Sequence, residues 1–176
     1  MRALLAISLL LLQTPAFSRE VVVDRIVIVV DEELVLSSEV RLEAVLTGLD
    51  APTLPFWTLE NGTSLERMEQ AAIVRALAAG VDLYDPPAEE IEERLARLRE
   101  RFGGPESWNA FEQLWGLDER SLARILRRRL LVERYLSRNL AEDPSDREVW
   151  LSACRDLLDE VRPRFRIRHL AQRGPL

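Results

Sequence analysis

The order of apolar and polar positions divides the chain into one strand-rich stretch followed by a series of amphipathic helices. Val21, Val22, Val23 and then Ile26 to Val30 form a β-branched run, Asp31-Glu32-Glu33 interrupts it, and Leu34-Val35-Leu36 resumes it. That pattern predicts a β-hairpin with an acidic turn. Two strands are marginal alone in water, so the hairpin must rest on the helices that follow. Ser37 and Ser38 are hydroxyl caps for a first helix over about 39–46, ended by Gly48. Residues 50–62 hold Pro52, Pro55 and Asn61-Gly62 without periodicity, and read as a loop in which Phe56-Trp57 is exposed.

Thr63 and Glu66 have the spacing of a capping box, and Leu65, Met68, Ala72, Ala76 and Leu77 recur at helical spacing up to Gly80. A third helix opens after Pro86-Pro87 with Ile91, Leu95 and Leu98 on one side and Glu89, Glu90, Glu92, Glu93, Arg94 and Arg97 on a solvated remainder. After Gly103-Gly104-Pro105 comes a short helix bearing Trp108, Phe111, Leu114 and Trp115. The longest helix runs from Asp118 to about Asn139, with Leu122, Ile125, Leu126, Leu130, Val132, Leu136 and Leu140 on one face. Arg129 and Glu133 fall inside that apolar face, where they either pair or mark an uncovered cleft. Pro144-Ser145-Asp146 caps a last helix through Trp150, Cys154, Leu157 and Val161. Residues Phe165 to Leu170 then alternate as a short strand able to join the hairpin. The expected fold class is mostly α, with an N-terminal β-hairpin and a short C-terminal strand completing a small sheet.

Ahead of the hairpin, Arg2, the apolar stretch Ala3 to Leu12, and the small residues Ala16 and Ser18 follow the order of a secretory signal peptide. Residues 1–18 are therefore read as a cleaved leader and 19–176 as one domain. Cleavage falls after Ser18, with Ala16 as the alternative. The apolar stretch is shorter than the roughly 20 residues that span a bilayer, which argues against stable membrane insertion. The expected fate is export from the cytoplasm as a soluble chain.

All 24 basic residues are arginine, and with 30 acidic residues the chain carries a net charge of −6. Removing the leader, which holds one arginine and no acid, makes it −7. An acidic exported protein is not a general nucleic-acid binder. Arg120, Arg124, Arg127, Arg128, Arg129, Arg134 and Arg138 crowd the long helix, and pairing with the acidic third helix is the simplest account of them. Cys154 is the only cysteine and His169 the only histidine. No internal disulfide, histidine metal site or nucleophile–histidine pair can be assembled with any economy. Neither a phosphate-cradling glycine loop nor a dinucleotide fingerprint is present. No cofactor and no catalytic residue are expected. Asn61-Gly62-Thr63 matches the short and common glycosylation acceptor pattern.

Three stretches in this order resemble the SurA family of periplasmic chaperones. Val22 to Val40 is similar to that family's hairpin and first helix. Leu65-Glu66-Arg67 to Ala79-Gly80-Val81, with Pro87 to Ile91, resembles its next two helices, and Gly116 to Leu131 its long closing helix. The resemblance implies an ATP-independent holdase whose partners are unfolded polypeptides, outer-membrane proteins above all, with homodimerisation left open. Many members add parvulin-type prolyl isomerase domains. Phe165 to Leu170 resembles the first strand of one, but only six residues follow it here. The front part of such an isomerase, or an adaptor for one folded envelope partner, are the alternatives. Holding an unfolded client takes uncovered apolar surface. The candidate client-binding residues are Phe56 and Trp57 in the loop and Trp108, Phe111 and Trp115 in the short helix, the second group doubling as candidate core.

Overall fold

A computed structural model describes residues 24–50 and 54–170. The leader, Val21 to Val23 and Pro52 lie outside the described residues. Strands β1 (Ile26–Val30) and β2 (Glu33–Leu36) form the hairpin, and β3 (Ile167–His169) joins the other edge of β1. Six helices stand between the hairpin and β3: α1 (Ser37–Leu49), α2 (Ser64–Ala78), α3 (Ala88–Glu100), α4 (Pro105–Trp115), α5 (Glu119–Asn139) and α6 (Arg147–Val161). The sheet is antiparallel throughout in the order β2-β1-β3. The protein is thus mostly helical with one small sheet that brings the two ends of the domain together, as the sequence pattern predicts.

Local chemistry explains where the elements start. Asp31 turns the hairpin in the left-handed region at φ 50°, which aspartate tolerates better than most residues. Its side chain also accepts from the Arg166 backbone N–H at 2.8 Å, and its own N–H donates to Arg166 O at 3.1 Å, so the turn seats β3 as well. The opening of α1 differs from expectation. Ser37 and Ser38 are its first residues rather than its acceptor caps, and their hydroxyls donate to the Asp24 carboxylate. Asp24 accepts the Ser38 backbone N–H at 3.2 Å as well, so a carboxylate from before β1 supplies the negative end that the helix N-terminus favours. Gly48 does not stop α1, which runs on to Leu49.

At α2 the capping box is formed as read. The Thr63 N–H donates to Glu66 Oε2 at 2.7 Å, and the Glu66 N–H donates back to Thr63 Oγ1 at 3.2 Å. Asp118 caps α5 by accepting from Ser121 N–H at 2.8 Å, and Asp146 caps α6 through Val149 N–H at 3.3 Å.

The core is in two parts. The larger packs the inner face of the sheet, Ile28, Val30 and Val35, against α2, α6 and the C-terminal half of α5 at Val132 and Leu136. The smaller joins Leu42 and Leu46 of α1, Leu95 and Leu98 of α3, Trp108 and Phe111 of α4, and the N-terminal half of α5 at Leu122 and Leu126. Helix α5 therefore serves both clusters in turn, and its middle is where they meet.

Candidate functional site

The segment after Asp50 is where sequence and structure diverge most. Residues Pro55–Trp57 and Leu59–Asn61 form two 3-10 turns, and the first is folded inward. Phe56 and Trp57 are 0% and 1% exposed, which corrects the expectation that they form an exposed pair. Their rings meet edge to face at 4.7 Å inside the larger cluster. Burying two such rings contributes roughly 3 kcal/mol each, a gain that outweighs the weak local preference of a proline-containing segment for solvent. Asn61 holds the turn from below, its amide donating to Phe56 O at 3.0 Å and to Gln70 Oε1 at 2.9 Å. The acceptor nitrogen of the glycosylation pattern is thus buried and engaged.

Trp108 and Phe111 are also core residues, packed with Phe102 in the smaller cluster. Of the five aromatic candidates only Trp115 keeps part of its surface free. The uncovered apolar surface belongs to aliphatic residues instead. Leu114 is 80% exposed at the end of α4, with half-buried Trp115 and Leu117 around the Gly116 corner. Leu59 is 78% exposed and Val149 51%. Their stretches are tied by the ion pair from Arg147 Nη1 to Glu60 Oε1 at 3.1 Å. Leu83, at 57%, is a third position, on the 3-10 turn before α3. None of these aliphatic residues is among the sequence-predicted candidates. The sequence places Leu114 on the apolar short helix without a direction, and a leucine in a loop carries no periodic signal to distinguish it from core.

Where the two clusters meet, six charged side chains are buried together. Arg94 is held by Asp50 through two parallel bonds, Nε to Oδ1 at 2.6 Å and Nη2 to Oδ2 at 2.9 Å, and also donates to Glu133 Oε1 at 3.1 Å. Arg129 pairs with Glu43 through Nη1, and its Nε lies 3.4 Å from Asp50 Oδ2. Arg67 donates to Glu43 Oε1 at 3.2 Å, to Gly62 O at 2.5 Å, and to Thr47 and Ser64 hydroxyls. Three arginines thus balance three carboxylates, all at least nine-tenths buried. The Arg129 guanidinium also lies 4.1 Å from the centroid of the Trp57 ring, a contact worth about 2 kcal/mol when water is excluded. On the α5 wheel, Arg129 and Glu133 are both buried and take partners from other elements, Glu43 for Arg129 and Arg94 for Glu133; Arg129 also lines a small cavity beside Trp57. Arg94, expected on the solvated side of α3, is instead 2% exposed.

Of the other arginines of α5, three meet carboxylates, only one of them on the acidic third helix, while Arg124 donates to the Ser121 hydroxyl at 3.0 Å. Arg134 reaches Glu90 on the acidic helix at 2.8 Å, Arg128 bridges Glu39 at 2.8 Å and Glu33 at 3.0 Å, and Arg127 pairs with Asp85. His169 is exposed and meets the buried Glu69, which also takes Arg162, so this pair fastens the C-terminal strand to α2. Cys154 is a core residue whose thiol is pushed up to about 12 by burial, with the nearby Arg155 pulling weakly the other way. A thiol so placed is unreactive at neutral pH.

Comparison with protein-family models, with curated proteins and with solved structures found no match to this chain. Among the described residues, no helix is long and apolar enough to cross a membrane.

Proposed function

We propose that this protein is a periplasmic, ATP-independent holdase that keeps unfolded envelope proteins, outer-membrane proteins in particular, from aggregating. The observation that carries the reading is the set of large aliphatic side chains left in solvent while the core is closed. Leu59, Leu114, Leu83 and Val149 are all more than half exposed, beside charged neighbours such as Glu60, Arg147, Glu112 and Glu119. Apolar surface rimmed by charge gains free energy by covering a client's own apolar groups, at roughly 25 cal/mol per Å² buried, and stays soluble meanwhile. The resemblance of the hairpin and of α1, α2, α3 and α5 to the SurA family supports the same reading, and the signal-like order of residues 1–18 supports export. The activity is binding alone, without prolyl isomerisation.

Light scattering of a denatured outer-membrane protein, diluted with and without the purified domain, tests the proposal. Suppression at near-stoichiometric ratio is expected; no effect at tenfold molar excess contradicts it. A prolyl-peptide isomerisation assay on the same preparation should stay at background, and activity above it would reassign the protein to the enzymes.

A further inference from the structure

Beside the buried charge network lies a cavity of about 40 Å³, bounded by α1, α2, α5 and the Trp57 turn. Its apolar wall is Leu42, Leu46, Met68 and Ile125, and it reaches solvent on the side of the half-exposed Arg128. Three nine-tenths-buried side chains on its lining have donors without a hydrogen-bond acceptor: Trp57 through Nε1, Arg75 through Nη2 and Arg129 through Nη2. Each carboxylate oxygen on the same lining already holds at least one bond. Glu43 Oε1 takes Arg67 and Thr47, and its Oε2 takes Arg129. Glu39 Oε1 takes Arg128, and its Oε2 takes the Leu36 N–H at 3.0 Å.

From this surplus we infer that the cavity is a binding site for a small carboxylate on a short apolar stem. The chemistry follows from what is left over. Vacant donors of buried guanidinium and indole groups call for an occupant that accepts, and an ionised carboxylate is acceptor-only. Two of the three donors are cationic, so the bonds they form are charge-assisted. The aliphatic wall takes the stem, in keeping with pockets that are mostly apolar with a few convergent polar groups. This site is separate from the exposed leucines of the chaperone proposal, and neither depends on the other.

Isobutyrate is the probe, added as its sodium salt to the intact domain and followed through the four tryptophan indole N–H signals by NMR. The Trp57 signal should shift saturably, with a midpoint at or below about 10 mM, while the other three stay in place. Equal sodium chloride, and the neutral isostere isobutyramide, should leave it unmoved. Ile125→Phe, which fills the cavity from its half-buried rim, should abolish the shift. A Trp57 signal that does not saturate up to about 100 mM isobutyrate overturns the site. Isobutyramide binding as well as isobutyrate overturns the assignment to an anion, and unchanged binding by a folded Ile125→Phe protein overturns the location.

Discussion

Arg94 of α3 and Asp50 at the end of α1 form a two-bond guanidinium–carboxylate pair, 2.6 and 2.9 Å long, with both side chains almost wholly out of water. The fork of the guanidinium fits the two carboxylate oxygens, so the pair fixes orientation as well as charge. Through Asp50 it reaches Arg129, and through Glu133 it reaches α5. The junction between the two apolar clusters is thereby set by charge rather than by packing alone.

Removing one member of such a network leaves the others charged and unpaired in a medium that solvates them poorly. Asp50→Leu should therefore cost about 3–5 kcal/mol of stability, read as a lower urea midpoint with an unchanged slope. Arg94→Lys keeps the charge but loses the fork, and should cost less than Asp50→Leu while still lowering the midpoint. An Asp50→Leu variant as stable as the parent would show that the network contributes little.

Acid should weaken the contact between the hairpin and the helices. Burial raises the Glu33 pKa, but the attraction and hydrogen bonds of Arg75 and Arg128 outweigh it and hold the carboxyl below its ordinary value. A carboxyl lowered in the folded state stabilises fully above its unfolded pKa, about 4.3 for glutamate, and loses that contribution as pH falls toward the folded value. Stability should thus decline below about pH 4.3. The decline should be shallower in Glu33→Gln, which is less stable at neutral pH; thermal unfolding across that range decides it.

Cys154 should resist thiol reagents in the folded protein. With burial pushing its pKa to about 12, the thiolate is scarce at neutral pH and the sulfur is sealed in the core. Labelling should begin only when urea unfolds the chain, and should track the unfolding curve. Rapid labelling of native protein would contradict the core placement.

Much of the fold was legible because its signals are local. The Thr63–Glu66 box, the Asp118 and Asp146 caps and the alternation through Phe165 to Leu170 each act over a few residues. The burial of Phe56 and Trp57 is not legible, because a short proline-containing segment has no period and nothing in it says which way its rings point. The burial of Arg94 does carry a signal. Ile91, Arg94, Leu95 and Leu98 share one helical face at i, i+3, i+4 and i+7, so the charge sits on the apolar stripe. Arg129 and Glu133 break the stripe of α5 in the same way, and there the break is plain from the sequence. Which partners such residues take is a matter of helix packing, and that lies beyond any one-helix pattern.

The exposed leucines stand at the centre of the functional account, and they can be changed without touching the core. Leu59→Ser combined with Leu114→Ser alters two positions about four-fifths in solvent, where substitutions away from special features shift stability by about 0.5 kcal/mol or less. The deciding measurement is suppression of outer-membrane-protein aggregation by this double variant beside the parent at equal concentration. The account predicts that the parent suppresses aggregation and the equally stable variant loses most of that effect. Equal suppression by both would contradict it.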